Sequence, residues 1–213
     1  MTSAPEPEQT VFIVDDDEDI RTSLSRALNT RGYATRVFPS AQTFLDAYDA
    51  DLSGCLILDY GMPQMSGLDL QRALVGRGAS LPIIFITGHG GVPESVQAMK
   101  LGAVDFLEKP FRQEVLIKQI DAALKLDAQS RRGRARARDA RRRFENLTER
   151  EREIARLLVS QPSSSSSKDL ARQLDISPRT VDHHRARVLE KMRVNSVAEL
   201  VDLCISTSLF DHA

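Results

Sequence analysis

Asp15, Asp16 and Asp59 are three carboxylates that close short apolar runs, TVFIVDDD and CLILD, far apart in a chain of 213 residues. Thr87 closes a third run, PIIFIT, and Lys109 follows a fourth, AVDFLEKP. β-Branched and aliphatic runs that stop at a polar residue read as buried strands of a parallel sheet, and such sheets present function at the crevice outside their carboxyl ends. Gathered there, two carboxylates repel by about 4 kcal/mol at 4 Å and an effective dielectric of 20. A hard divalent cation relieves that repulsion, and Mg2+ favours a few carboxylates together with phosphate and water. It would neutralise incoming phosphoryl oxygens and leave one carboxylate free to attack as an aspartyl nucleophile. Lys109 can pair as a point charge with one phosphoryl oxygen, and the Thr87 hydroxyl can donate to another. Each residue alone has a plainer reading, as a helix cap for Asp-Asp or a turn residue for Thr87. All of them at the ends of successive strands point to phosphoryl chemistry on a carboxylate.

The elements that must position these residues alternate in type. Residues 11–16 read as a buried strand, and Ile20, Leu24, Ala27 and Leu28 give a helix over 18–31 that ends at Gly32. Further strands are expected at 33–38, 55–58, 81–86 and 104–107. The helices between them start near Ser40, contain Leu68, Leu70 and Leu74, and run through Val96 and Met99. A last one leaves Phe111 with Val115, Leu116, Ile120 and Leu124. Five such units make an α/β doubly wound domain over residues 10–126, preceded by a polar leader at 1–9 that reads as disordered.

Charge divides the chain. Residues 1–124 hold 10 Lys+Arg against 17 Asp+Glu, net −7; residues 125–213 hold 19 against 13, net +6. An acidic half and a basic half imply different partners, and the basic half suits nucleic acid, an acidic membrane surface or an acidic protein. Residues 127–143 form an Arg-rich linker, with eight arginines from Arg131 to Arg143, rich enough in Ala and Arg to be helical. It reads as a solvated connector or as a contact to DNA phosphate. Cys55 and Cys204 lack CxxC spacing, so both are expected as reduced core thiols. No apolar run approaches about 20 residues, so neither a membrane span nor a signal peptide is expected.

From Leu147 the pattern is wholly helical. Thr148 with Glu151 forms a capping box, a short helix follows over 168–174, Ser177-Pro178 opens a third, and Ser196 with Glu199 caps a fourth. The brief turn at Asp175-Ile176 suggests a helix-turn-helix over residues 144–208, with a tail at 209–213. On the third helix Val181, Val188, Leu189 and Met192 make the core stripe, while Asp182, His183, Ala186, Arg187 and Glu190 face outward.

Over residues 10–126 the pieces IVDDD, LDYGMPQMSG, FITGHG and DFLEKPF resemble the receiver domain of bacterial two-component response regulators. That resemblance implies a flavodoxin-like fold with five parallel strands, and Asp59 as the phosphoacceptor of a sensor histidine kinase. It implies Mg2+ on Asp16, Asp59 and the Gly61 backbone carbonyl, with Asp15 acting mainly through water. Thr87 and Lys109 would touch the phosphoryl group, Lys109-Pro110 would be cis, and Phe106 would turn inward as Thr87 moves. Gly61 and His89 stand where the family tunes loss of the phosphoryl group. Gly61 leaves water access open, and His89 is an exposed loop residue or a rate-tuning one.

The pieces LTEREREIARLL, KDLARQLDISPRTVDHHRARVLEKM and NSVAELV resemble the LuxR-type helix-turn-helix of the NarL/FixJ family. The third helix would enter the major groove of promoter DNA, with base contacts from Asp182, His183 and Ala186 and phosphate contacts from Arg179, Thr180, Arg187 and Lys191. An outward Asp182 is costly unless it accepts from a cytosine amine or pairs with Arg179 or Arg185. His184 packs or touches backbone phosphate. The serine run at 163–167 departs from the family, which has a shorter turn there; it is a tolerated loop insertion or a change in docking.

The expectation is a linker helix between the receiver and an all-α four-helix domain, in a cytoplasmic two-component transcription regulator. It would be a homodimer on DNA once phosphorylated, with RNA polymerase as a further partner and no membrane. As a non-enzyme it would promote only its own phosphorylation and dephosphorylation. The alternatives are a phosphorelay or protein-interaction module, and a DNA-binding regulator indifferent to phosphorylation.

Overall fold

The computed structural model describes residues 9–88, 92–161 and 166–210, and only the backbone of residues 92–94. Residues 1–8 of the expected leader, His89, residues 163–165 of the serine run and residues 211–213 of the tail lie outside the described residues.

Apolar runs become five parallel strands: β1 (Thr10–Val14), β2 (Ala34–Phe38), β3 (Gly54–Asp59), β4 (Ile83–Thr87) and β5 (Asp105–Glu108), ordered β2-β1-β3-β4-β5. Helices α1 (Glu18–Asn29), α2 (Ala41–Ala47), α3 (Gly67–Gly76) and α4 (Val92–Lys100) connect them, and α5 (Gln113–Glu145) leaves the last strand. β3 and β4 are buried at every residue, as expected of strands covered on both faces. One face packs Phe12, Phe44, Leu56, Leu58, Leu70 and Phe85. The other packs Ile13, Leu28, Ile57, Ile84, Leu116 and Ile120. β4 starts at Ile83 and not at the expected 81, because Pro82 has no N–H to give the ladder. The order turns between β1 and β3, which opens the crevice at their carboxyl ends.

Asp127, on α5, is 1% exposed. Its Oδ2 accepts from the Ser53 hydroxyl at 3.0 Å, the Gly54 N–H at 2.9 Å and the Gln9 amide at 3.4 Å. Gly54 has φ +139, and a Cβ there would lie 1.7 Å from the Thr10 carbonyl oxygen, so no other residue can bring its N–H to this carboxylate. Asp127→Ala strands two buried donors, and we expect it to cost about 1–3 kcal/mol in a urea titration of the full chain. Asp127→Asn, which keeps an acceptor oxygen, recovers most of the loss.

The chain divides into two units at Ser130/Arg131, within α5. The second unit holds the end of α5 and four further helices: α6 (Glu149–Ser160), α7 (Ser167–Leu174), α8 (Pro178–Met192) and α9 (Val197–Ser206). Side chains cap the start of each: Thr148 accepts from the Glu151 N–H, Ser166 from Asp169, Ser177 from Thr180 and Ser196 from Glu199. Asp175 closes α7 in the left-handed region, a conformation Asp tolerates, and so makes the turn into α8. Ala140, Ile154, Leu158, Leu170, Val181, Val188, Met192 and Leu200 form the core of this unit. Cys55 and Cys204 are free and buried. Among the described residues no helix is long and apolar enough to cross a membrane.

Candidate functional site

Register explains why the polar strand ends meet. Val14 pairs with Leu58, which makes Asp15 and Asp59 neighbours one step further along β1 and β3. Asp59 pairs with Ile86 and Thr87 with Glu108, so Thr87 and Lys109 complete the same edge. The Lys109 N–H donates to the Thr87 carbonyl at 2.7 Å, and the Lys109-Pro110 bond is cis. From there the Lys109 ammonium reaches both carboxylates, Asp15 Oδ2 at 2.9 Å and Asp59 Oδ1 at 2.8 Å.

Each carboxylate spends its second oxygen on backbone. Asp15 Oδ1 accepts from the Asp17 N–H at 2.9 Å, and Asp59 Oδ2 accepts from the Gly61 N–H at 2.7 Å. Asp17 in turn caps α1. Asp15, Asp59 and Thr87 are buried, whereas Asp16 and Gly61 are exposed beside them. Burial pushes the Asp15 carboxyl above the usual range, against the pull of the Asp17 N–H and of Lys109. Burial would lower Lys109, but its hydrogen bonds to Asp59 and Asp15 outweigh that and hold the ammonium above its ordinary value.

Gly67, the first residue of α3, lies directly behind the end of β3. A Cβ there would come within 2.3 Å of the Asp59 carbonyl oxygen, so glycine lets α3 approach. Phe106 is half-buried, with its ring centroid 6.1 Å from that of Tyr60 and 6.0 Å from that of Phe85.

Among the described residues no three acidic, His or Cys side chains converge as a ready cation site. The expected trio is brought together in part: Asp15 and Asp59 share Lys109, and Asp16 stands outside that pair. The Gly61 N–H is the group that meets Asp59. The donor chemistry still suits Mg2+. Three carboxylates and one ammonium leave a charge of −2 on hard oxygen donors when all are ionised.

In the second unit α8 separates its faces sharply. Val181, Val188 and Met192 are fully buried, while Arg179, Asp182, His183, Ala186, Arg187 and Glu190 form an exposed stripe. Thr180 is half-buried, its hydroxyl 2.8 Å from the Ser177 hydroxyl. Arg187 pairs with Glu190 at 2.9 Å on the surface, a contact weak enough to exchange for a phosphate. His184 is half-buried, its ring 5.9 Å from that of His183. Asp182 pairs with neither Arg179 nor Arg185 among the described residues; it accepts from the hydroxyl of Ser167.

Lys191, expected as a phosphate anchor, is half-buried and already paired. Its ammonium lies 2.6 Å from Oε2 of buried Glu151, which also accepts from the Thr148 N–H at 2.8 Å. Helical spacing put Lys191 near the outward stripe, but Glu151 offers it a sheltered carboxylate that water and phosphate must compete with. Burial would raise the Glu151 carboxyl, but Lys191 and the Thr148 N–H outweigh it and hold the group below its usual range. A depressed carboxylate stabilises the fold above its unfolded value, about 4.3 for Glu, and that contribution is lost as pH falls through the folded value. We therefore expect the second unit's thermal stability to fall more steeply below about pH 5 than in Glu151→Gln, where this group cannot titrate. The check is the difference between the two melting curves, since other carboxylates titrate in both.

Two family models match the chain, "Response regulator receiver domain" over residues 11–121 and "Bacterial regulatory proteins, luxR family" over 145–204. The response regulator protein TodT of Pseudomonas putida is 42% identical over 191 residues, covering 90% of this chain and 83% of that protein. The transcriptional regulatory protein FixJ of Bradyrhizobium diazoefficiens is 39% identical over 201 residues, covering 94% and 97%. The solved structure of the response regulator StyR superposes with a TM-score of 0.81 at 38% identity, covering 93% of this chain and 98% of that one. The chain belongs to the response regulators.

As a response regulator it carries a receiver and a LuxR-type DNA-binding domain, and these imply a histidine kinase as partner of the first and DNA as partner of the second. Neither model describes an enzyme family. Receivers in general use Mg2+ for phosphorylation, which agrees with the charge left on this regulator's pocket. Three contributors went unread in the sequence: Tyr60, which packs on Phe106, Glu151 as the partner of Lys191, and Ser167 as the partner of Asp182. Only Ser167 left a signal, in the unusual serine run.

Proposed function

We propose that the regulator takes a phosphoryl group onto Asp59 from a sensor histidine kinase and reports it by binding promoter DNA through α8. The observation that carries this reading is the shared ammonium: Lys109 holds Asp15 and Asp59 together at the sheet's open edge. An Asp59 carboxylate oxygen attacks phosphorus, the P–N bond of the phosphohistidine breaks with its electron pair going to nitrogen, and the imidazole leaves neutral, keeping the proton already on its other ring nitrogen. Lys109 then pairs with a phosphoryl oxygen, and the Thr87 hydroxyl donates to another. Asp15, Asp16, Asp59 and the Gly61 carbonyl would hold Mg2+, which supplies positive charge to the phosphoryl oxygens. For Gly61 this requires the peptide to present its oxygen in addition to the N–H that Asp59 already uses.

Thr87 is drawn toward the new charge and Phe106 turns into the space it leaves, against Tyr60 and Phe85. A local charge thus biases a two-state surface. Two copies then meet on a two-fold-related site, with RNA polymerase as a further partner, in the cytoplasm. On DNA, Asp182, His183 and Ala186 face base edges, and Arg179, Thr180 and Arg187 face phosphates; Lys191 joins them only by leaving Glu151. The exposed stripe on α8 supports this assignment.

The test is a titration of promoter fragments at several salt concentrations, with and without an acyl phosphate and Mg2+. Specific binding that strengthens on phosphorylation supports the reading. Equal affinity for all fragments in both states overturns it.

A further inference from the structure

The expected ways to neutralise Asp182 were an arginine on its own helix or a base amine in the groove. Among the described residues neither Arg179 nor Arg185 reaches it. Its partner is the hydroxyl of Ser167, the first residue of α7. Ser167 is itself placed by the cap before it, where Ser166 accepts the Asp169 N–H at 3.2 Å and donates to the Asp169 carboxylate. A hydroxyl orients a carboxylate but cancels none of its charge. The charge therefore remains on the outward stripe, in the direction from which phosphates approach.

From this we infer that Ser167 is a positioning residue for base readout, holding Asp182 so that its free oxygen accepts from the exocyclic amine of a cytosine. The inference rests on α8 being the helix that enters the major groove. Cytosine presents a donor there, whereas guanine and thymine present acceptors that repel a carboxylate. Adenine also presents an amine, but beside an N7 acceptor, which suits an amide better than a carboxylate. Without the Ser167 hydroxyl, Asp182 is free to swing toward Arg179 or Arg185, three residues away on either side and therefore on neighbouring turns. The bond thus turns a generally repulsive charge into a selective one.

The experiment selects binding sites from a random duplex library with the full-length, acyl-phosphate-treated chain, then titrates duplexes permuted at each selected position. The wild type is expected to prefer cytosine about tenfold at one position of each half-site, the size of a typical single-base effect. Ser167→Ala is expected to cut that ratio to about twofold, and Ser167→Thr, which keeps the hydroxyl, to restore it. Asp182→Asn is expected to move the preference to adenine. A fold defect would weaken preferences at every position of the half-site, whereas lost positioning acts at one; thermal melting of each variant checks the fold. Full retention of the cytosine preference in Ser167→Ala overturns the proposal, as does a wild type with specific sites but no cytosine dependence on Asp182. If no chain selects any sequence, the DNA-binding reading fails as well, and the two failures are told apart.

Discussion

Asp59→Asn is expected to abolish covalent phosphorylation of the full-length regulator by a histidine kinase or an acyl phosphate, leaving the chain folded. The amide removes the anionic nucleophile but keeps the shape of the side chain. Its oxygen can still accept from the Gly61 N–H, which Asp59 holds at 2.7 Å. Lys109 loses one of its two carboxylates and keeps Asp15 at 2.9 Å, so the half-buried ammonium is not left alone. That separation of chemistry from packing makes the loss informative. Phosphate-affinity electrophoresis of wild type and variant reads it directly: a shifted band in the wild type, none in the variant. Wild-type labelling of the variant would move the acceptor elsewhere.

Leu158→Ala is expected to have the largest effect on stability, and to have it in one unit. Leu158 is fully buried on α6, among Ile154, Leu170, Val181, Val188 and Leu200. Truncating a leucine in such a core costs about 2–5 kcal/mol, the lost transfer energy plus the cavity left behind. Small domains hold only about 5–15 kcal/mol in total. The DNA-binding unit should therefore melt well below the receiver and lose DNA affinity on mild warming. Phosphorylation at Asp59 should persist, because the receiver's two core clusters share no residue with this one. Scanning calorimetry of the full chain, with labelling assayed at the same temperatures, checks both halves of the expectation. Parallel loss of labelling and DNA binding would mean that the two units do not fold independently.

Much of the receiver is legible because a parallel sheet writes itself plainly. β1, β3 and β4 are buried on both faces, so each is an unbroken apolar run, and the residue ending each run lands at the crevice. Asp15, Asp59 and Thr87 follow from that, and Lys109 follows a fourth, only partly buried run on β5. The period of α8 likewise separated Val181, Val188 and Met192 from the exposed stripe, because burial on one side of a helix fixes the other side. What spacing could not supply was the partner of a charge. Lys191 and Asp182 both sit where a DNA contact is reasonable, yet Glu151 is 40 residues from the first and Ser167 is 15 from the second. Asp127 hid for the same reason. It sits in a polar stretch at the edge of an arginine-rich segment, and its buried donors, Ser53 and Gly54, lie more than 70 residues earlier. A side chain's face is local information; its partner depends on how helices and strands pack.

One charge on Asp59 is expected to control what α8 does. The most direct measurement is the affinity of the full-length chain for a selected operator duplex, with Mg2+ present, before and after addition of beryllofluoride as an acyl-phosphate mimic, in wild type and Asp59→Asn. Affinity is expected to rise at least about tenfold for the wild type, equivalent to about 1.4 kcal/mol, and to stay at the unphosphorylated level in the variant. Equal affinity in the wild type with and without the mimic, or the same gain in Asp59→Asn, would contradict it.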